Sequence, residues 1–390
     1  MQVKHNFVHL AEVQREQGTL YCAGLDVHPF GSLAKNIAVY NQALNPQEKD
    51  YCREVTQDYY ASLLSALSVP GMEVRKDFSF LLASIEGYLI KVIDILVRKC
   101  NIRTSKPQWA FYEQFGPAGI FLLSRIRQHI TELEITEGVQ LITIGDVKRG
   151  DIDTTQAAYF IGLLGNLKEF WGIDYAPFNF DIINVSPWMG SDVMCFGKQG
   201  KPGLGLNLMR GGKGIIVVNK TSNPSGPEYQ DISGNRLPEN PDHVMSHNLK
   251  HSVQMWNVSD MSAASREHEL DHDGLSSIGL VVGSTRACDG SVRLAFPTTT
   301  LLVPGFGAQD GKFSLIMPEL IREGKWNGQG ALFSSSRGTM YPWMEKFGGS
   351  GQPQNLEDDL CVAIEKFRAN EKEAYGTAAV RELGIEYPFN

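Results

Sequence analysis

The sequence predicts an α/β protein built as a closed (β/α)8 (TIM) barrel. Eight short apolar, β-branched runs recur through the 390 residues, and most are too uniformly apolar to be strands with one solvated face. Such runs are typical of strands buried on both faces of a parallel sheet. Helical patterns separate them, and strands that alternate with helices favour right-handed βα units. Eight such units predict a closed barrel.

The predicted elements follow one another along the chain. The strands cover residues 20–26, 103–111, 140–146, 181–186, 214–220, 278–283, 300–305 and 331–336. The helices include residues 47–68, 76–100, 117–134, 154–170 and 355–372. In the second helix, Leu81, Ile85 and Leu89 recur at the spacing of one helix face.

Two connections are longer than a barrel requires. A barrel of this type needs about 250 residues, and the excess lies mainly in 27–102 and in 221–277. The second of these is rich in Pro, Asn, Asp and Ser, which is typical of a surface excursion. We predict one domain over residues 1–390, with enlarged connections after the first and the fifth strand.

Composition and charge exclude several classes of protein. The net charge is −8 and no basic block occurs, which disfavours a nucleic-acid binder. No run approaches the roughly 18 apolar residues of a membrane span, and the N-terminal residues lack an apolar run of signal-peptide length. The six cysteines form no Cys-x-x-Cys pair. This pattern favours reduced thiols, so we expect a cytoplasmic protein with neither a disulfide framework nor a zinc site.

Charged residues follow several strands at their carboxyl ends, where barrels of this type hold their chemistry. Asp146 and Lys148 are two residues apart on the third strand, so they point to the same side. The pair is either a structural ion pair or a catalytic one. Asp26 and Lys106 are predicted at the same mouth, and a cluster of this kind is costly for stability. The cluster therefore favours the catalytic interpretation.

A second group of residues follows the last two strands. Gly305, Gly307 and Gly311 offer free backbone N–H groups, and Arg337 can bind phosphate in a forked geometry. Loops after the seventh and eighth strands often bind phosphate in this fold. The alternative is that the glycines only turn the chain and that Arg337 pairs with a surface acid.

Five sequence blocks stand in a recognisable order. They are LYCAGLD at 20–26, KPQWAF at 106–111, GDVKRGDIDTT at 145–155, LVPGFG at 302–307 and SSSRG at 334–338. With these blocks the chain resembles the orotidine 5′-phosphate decarboxylases, in their longer bacterial subfamily (type 2). The resemblance implies a cytoplasmic carboxy-lyase that converts orotidine 5′-monophosphate to UMP and CO2, the last step of de novo pyrimidine nucleotide synthesis. It also implies a homodimer that shares its active sites and needs no metal or organic cofactor.

The resemblance further implies a role for each matching position. Lys148 would protonate C6 of the pyrimidine, and Asp146 would lie against the substrate carboxylate. Asp151 and Thr155 would reach the site from the partner subunit, and Lys106 would hold Asp146 and the ribose. The other substrate-binding positions would be Asp26 for the ribose, Ser186 for the pyrimidine, and Gly307, Gln309, Arg337 and Gly338 for the phosphate.

Two positions depart from the family pattern, and two other functions stay open. Asp310 stands where the family usually has Gly, and Ser334 where Asn is common, which puts phosphate affinity in question. One alternative is a Mg²⁺-dependent sugar-phosphate decarboxylase or aldolase on a related barrel with an Asp-x-Lys strand. The other is a non-catalytic barrel that binds a nucleotide.

A row of histidines at 243, 247 and 251 could share a helix face, and we interpret it as a solvated face rather than a metal site.

Overall fold

A computed structural model describes most of the barrel. The described residues are 6–28, 37, 56–67, 76–197, 203–230, 271–272, 274–284, 290–306, 312–322 and 324–389. Their strands are β1 (Tyr21–Gly24), β2 (Thr104–Lys106), β3 (Ile142–Arg149), β4 (Ile182–Val185), β5 (Gly214–Lys220), β6 (Asp271–His272), β7 (Leu275–Ser276), β8 (Ile278–Val282), β9 (Leu301–Pro304) and β10 (Ala331–Ser335).

Eight of these strands close into a barrel in the order β1-β10-β9-β8-β5-β4-β3-β2. Every barrel pairing with a defined register is parallel. β6 and β7 form a separate antiparallel ribbon. The eight barrel strands match the eight predicted ones, so the predicted (β/α)8 barrel is confirmed.

Helices of varied length connect the strands. They are α1 (Asn6–Gln17), α2 (Thr56–Leu67), α3 (Lys76–Arg98), α4 (Ala110–Glu113), α5 (Gly116–Glu137), α6 (Asp153–Leu163), α7 (Lys168–Trp171), α8 (Leu204–Arg210), α9 (Pro227–Gln230), α10 (Ser291–Ala295), α11 (Phe313–Ile316), α12 (Arg337–Met340), α13 (Leu356–Tyr375) and α14 (Ala378–Glu382). Short 3-10 helices cover Pro187–Met194, Met317–Leu320, Gly324–Trp326 and Glu345–Phe347.

By its internal contacts the chain divides into two compact units. The larger unit comprises Met1–Cys22, Ile142–Ser335 and Arg368–Asn390, and the smaller unit comprises Ala23–Leu141 and Ser336–Phe367. The candidate site residues fall in both. The larger unit carries Asp146 and Lys148, and the smaller carries Asp26 and Lys106.

In the larger unit, α1 packs on residues from the strands of the barrel. Phe7 and Leu10 belong to one apolar cluster with residues of β3, β4, β5, β8, β9 and β10. Side-chain amides add hydrogen bonds to the backbone: Gln14 Nε2 donates to the Ala331 carbonyl at 2.8 Å, and Gln329 Nε2 donates to the Ala11 carbonyl at 3.0 Å. The helix therefore completes the core of this unit.

Substitution of Phe7 by alanine should destabilise the protein strongly. Phe7 is 0% exposed, and truncation of a buried phenylalanine usually costs about 3–5 kcal/mol because it removes apolar burial and leaves a cavity. Urea unfolding of Phe7→Ala measures this loss. Ile135→Ala, at a side chain that is 77% exposed, should stay within about 0.5 kcal/mol of wild type. Equal midpoints for Phe7→Ala and wild type would show that α1 is not part of the cooperative core.

Two predicted elements are shorter than expected. The helix predicted over 154–170 ends at Leu163, because Asn166 forms a turn in which its Oδ1 accepts the N–H of Lys168 at 2.9 Å and the N–H of Tyr175 at 3.0 Å. The strand predicted over 103–111 ends at Lys106, before a proline that cannot donate to the sheet. In both cases the apolar pattern of the sequence continues past the end of the element, and a local feature ends it: the Asn166 side chain after the helix and the Pro107 ring after the strand.

Candidate active site

The ion pair at the end of β3 is the most distinctive charged group of the larger unit. Lys148 Nζ donates to Asp146 Oδ1. The Asp146 side chain is buried at 8% exposure, whereas the Lys148 side chain is 48% exposed, so the ammonium reaches solvent while the carboxylate does not. This pair can therefore offer a positive charge and a proton to a ligand above it.

The backbone that carries the pair is irregular. The pairing of β3 with β4 shifts register between Gly145 and Arg149, so Asp146 and Lys148 lie in a bulge. Lys148 also has a positive φ of 45°, which is unusual for any residue but glycine. Bulges and left-handed residues are frequent at functional sites, where they re-aim a side chain. The same-side placement predicted from strand alternation thus occurs here on a distorted strand.

Asn184 on β4 joins both members of the pair, and sequence reasoning missed it. Its Nδ2 donates to Asp146 Oδ1 at 2.6 Å, and its Oδ1 accepts the backbone N–H of Lys148 at 2.8 Å. The side chain is 1% exposed. A polar residue within the apolar run of a buried strand was the signal that could have identified it.

Asp151 and its neighbours form the loop that leads into α6. The Asp151 N–H donates to Gln156 Oε1 at 2.9 Å, and Asp151 Oδ1 accepts the N–H of Ile152 at 2.7 Å. Thr155 lies exposed on the first turn of α6. The described hydrogen bonds of Asp151 thus reach only Ile152 and the first turn of α6, where Thr155 is exposed.

Ser186 follows β4 and is half-buried. Its N–H donates to the carbonyl of Arg149 at 2.9 Å, which joins the ends of β4 and β3. A Cβ on Gly150 would lie 2.4 Å from the Ser186 carbonyl oxygen, so this close approach requires glycine. Ser186 is therefore held directly beside the loop that carries Asp151.

Exposed apolar side chains lie on the segments that directly follow β3 and β4. They are Ile152, Trp188 and Met189, with exposures between 46% and 69%. We call this set the rim patch. Apolar patches of this kind often mark interaction surfaces.

In the smaller unit, Asp26 and Lys106 are buried, with exposures of 6% and 5%. The Leu25 N–H donates to the Lys106 carbonyl at 3.2 Å. This backbone hydrogen bond joins the end of the strand that leads to Asp26 to the end of the strand that carries Lys106. Tyr112 Oη donates to the Leu25 carbonyl at 2.8 Å. Within the described part of the chain, Asp26 Oδ1 is buried and has no hydrogen-bond partner. A buried carboxylate oxygen in this state fits a site that receives a hydroxyl group from a ligand.

His28 lies two residues beyond Asp26. Its ring packs on Phe111, with centroids 4.4 Å apart, and on Tyr341 at 6.0 Å. Burial lowers the pKa of the His28 imidazole; the charge of Asp26 opposes this shift and the charge of Arg337 reinforces it. The neutral form of the His28 imidazole is thus favoured.

The structure describes only some of the residues that are predicted to bind the phosphate. Arg337 is exposed at the start of α12, and Gly338 is buried. A Cβ on Gly24 would lie 2.4 Å from Ser336 Oγ, so glycine lets the end of β1 approach the residue before Arg337. Gly307, Gln309 and Asp310 lie outside the described residues, as does the histidine row at 243, 247 and 251.

The described residues offer neither a cluster of metal ligands nor a helix suited to a membrane. Among the described residues, no group of three or more His, Cys, Asp or Glu side chains could hold a metal ion. In the described part of the chain, Cys22, Cys100, Cys195 and Cys361 take part in no disulfide bond. None of the helices in the described ranges is both long and apolar enough to cross a membrane.

Comparison with known proteins gives the family. No family model matches the sequence. The chain is, however, 32% identical over 260 residues to orotidine 5′-phosphate decarboxylase of Rhodopirellula baltica, a span of 66% of this chain and 74% of that protein. The chain belongs to the orotidine 5′-phosphate decarboxylase family. It is 29% identical over 257 residues to the enzyme of the same name from Caldicellulosiruptor bescii, which covers 66% of this chain and 73% of that protein.

Solved structures of orotidine 5′-monophosphate decarboxylases have the same fold as this chain. Orotidine 5′-monophosphate decarboxylase of Plasmodium berghei superposes with a TM-score of 0.61 at 17% identity, over 95% of this chain and 99% of that one. The OMP decarboxylase of Leishmania donovani gives a TM-score of 0.51 at 20% identity, over 95% and 99%. The resemblance inferred from the sequence blocks is confirmed, and the chain is an enzyme of the carboxy-lyase class.

Proposed function

We propose that this chain decarboxylates orotidine 5′-monophosphate to UMP and CO2 with neither metal nor organic cofactor. The observation that carries the proposal is the ion pair of buried Asp146 and half-exposed Lys148 in the bulge of β3. The two relatives that are 32% and 29% identical to this chain carry the name of this activity. The reaction would be the last step of pyrimidine nucleotide synthesis, in the cytoplasm.

The chemistry demands a fixed positive charge beside one carbon atom. When the bond between C6 and the carboxylate carbon breaks, CO2 leaves and the electron pair stays on C6, with no neighbouring carbonyl to accept it. The Lys148 ammonium stabilises that pair and then transfers a proton to C6, which completes UMP. Solvent re-protonates the amine through its exposed face. A preorganised charge is effective here because it needs no reorganisation during the reaction.

Asp146 has two roles in this step. Its carboxylate holds the Lys148 ammonium in place and faces the substrate carboxylate, so two negative charges stand close before the reaction. When CO2 leaves, the charge of the substrate carboxylate passes to C6, where the Lys148 ammonium neutralises it. The burial of Asp146 keeps water from screening its charge. The same acid therefore positions the proton donor and favours loss of the carboxyl group.

The remaining contacts bind parts of the substrate that do not react. Asp26 accepts a ribose hydroxyl on its buried oxygen, with Lys106 beside it. Ser186 binds the pyrimidine, and Gln309 and Arg337 bind the phosphate together with the backbone at Gly307 and Gly338. Binding energy from the phosphate orients the ring at Lys148.

We propose that the active enzyme is a homodimer in which Asp151 and Thr155 complete the site of the partner. The rim patch supports this arrangement, because Ile152, Trp188 and Met189 expose apolar surface on the segments that follow β3 and β4, the first of which carries Asp151 and Thr155. A second copy of the chain would cover that surface by a two-fold contact.

The decisive experiment follows the loss of orotidine 5′-monophosphate absorbance on addition of the purified chain, with and without EDTA. We expect rapid loss with formation of UMP, unchanged by EDTA. Complete inhibition by EDTA would favour the Mg²⁺-dependent sugar-phosphate enzymes instead. UMP binding without turnover, from folded protein, would leave only the nucleotide-binding alternative.

A further inference from the structure

Asn184 is a polar residue in an otherwise apolar strand. Ile182, Ile183 and Val185 are each 0% exposed, and Asn184 itself is 1% exposed. Burial of an amide is unfavourable unless its donor and acceptor both find partners. Both partners of Asn184 come from the bulge of β3, so the reason for an amide at this position lies there.

The bulge leaves a gap in the backbone ladder that Asn184 fills. Ile182 and Ile183 pair with Ile144 and Gly145, and pairing resumes only between Val185 and Arg149. Between these points Lys148 turns to a φ of 45°, and its N–H donates to the Asn184 side chain at 2.8 Å instead of to a strand carbonyl. The amide thereby stabilises the left-handed backbone from which the Lys148 side chain departs.

The other end of the amide fixes the acid. Asn184 Nδ2 donates at 2.6 Å to Asp146 Oδ1, the same oxygen that receives the Lys148 ammonium. The two contacts also determine which way the amide points, because its oxygen must face the Lys148 N–H and its NH2 must face the carboxylate. A single neutral side chain thus orients both members of the ion pair without adding charge.

We propose that Asn184 is a positioning residue for decarboxylation: it holds the Asp146 carboxylate and the backbone of Lys148 so that the ammonium is aimed at C6. The inference rests on the proposed function. It assigns Asn184 no contact with the substrate, and its effect is therefore on kcat rather than on ligand affinity.

Two substitutions separate positioning from simple support of the fold. Asn184→Ala removes both hydrogen bonds, and misplacement of a reacting group by about 1 Å can cost on the order of 100-fold in rate. We expect kcat to fall by roughly that factor while the Kd of UMP changes little and the protein stays folded at the assay temperature. Asn166→Ala is the control, because it removes an asparagine whose Oδ1 accepts the N–H groups of Lys168 and Tyr175 in the turn after α6; it should keep kcat within about twofold.

Asn184→Asp gives a pH signature that a structural role would not produce. A protonated aspartic acid is shaped like asparagine: its O–H can donate to Asp146 and its C=O can accept the Lys148 N–H. An ionised aspartate at position 184 would face Asp146 with a like charge. These two carboxyl groups therefore retain one shared proton to an unusually high pH. Asp146 and Lys148 are the charged groups that contact this position from β3, and the β5 residue paired with it is Ile216.

The expected result is that kcat of Asn184→Asp approaches wild type near pH 5.5 and falls at least tenfold relative to wild type by pH 8, as the shared proton is lost. Parallel pH profiles for Asn184→Asp and wild type, or kcat within twofold for Asn184→Ala, would overturn the positioning role while leaving the decarboxylase intact. Failure of the wild type to turn over orotidine 5′-monophosphate would instead overturn the proposed function, and the positioning role with it.

Discussion

Substitution of Lys148 by alanine is expected to lower kcat by about 10⁴-fold. Lys148 is assigned both the charge that stabilises the C6 electron pair and the proton that completes UMP, and each effect alone is typically worth 10²-fold or more. The side chain is half-exposed and ends at Asp146, so its removal opens no cavity in the core. The Tm and the Kd of UMP should therefore remain close to wild type.

The matched control is Lys372→Ala. Lys372 is an exposed lysine on α13 that lies over the ring of Tyr387, so it tests loss of a lysine away from the strand ends. It should keep full activity. A Lys148→Ala enzyme that turned over substrate at more than about a tenth of the wild-type rate would refute the proton-donor role, because loss of a general acid typically costs about 10²-fold or more.

Subunits that are inactive for different reasons should restore activity when they are mixed. One parent carries Asp146→Ala and Lys148→Ala, and the other carries Asp151→Ala. If Asp151 serves the partner's site, each heterodimer has one site with all three residues intact and one with none. Random exchange makes half of the dimers heterodimers, so about a quarter of the wild-type activity should return.

This experiment distinguishes a shared site from a site made within one chain. If Asp151 acted on its own subunit, both sites of the heterodimer would lack an essential residue. Mixed dimers that are isolated by two affinity tags and show no more activity than the parents would then count against sharing. The described hydrogen bonds of Asp151 go to Ile152 and to Gln156 at the start of α6, which is compatible with a role toward a second chain.

The strands of the barrel were predictable from sequence because burial on both faces leaves them little choice of residue. The run at 214–220 is a strand over the same residues, Gly214–Lys220. Helix α1 was missed: only five of its residues, Phe7, Val8, Leu10, Ala11 and Val13, are apolar residues buried in the core, and its fit depends on amide contacts to distant carbonyls. Such contacts leave no periodic trace in the sequence.

The candidate site was predictable where a residue type is unusual for its surroundings. Asp146 and Lys148 follow an apolar strand, and the structure joins them in an ion pair. The bulge and the positive φ of Lys148 could not be predicted, because no glycine marks the position of the turn. The partnership of Asn184 with them depends on the register between two strands, which one sequence does not specify.

The packing of α1 has a consequence for biosynthesis. Gln14 bonds to a carbonyl 317 positions further along the chain, so α1 is made long before the strand to which it bonds. At roughly 5–20 residues per second, ribosomes need about 15 to 65 seconds to make that intervening length. Through this interval the apolar face of Phe7 and Leu10 lacks the full set of strands on which it packs in the finished protein. Chaperones and proteases can therefore meet α1 on each newly made chain before its core is complete.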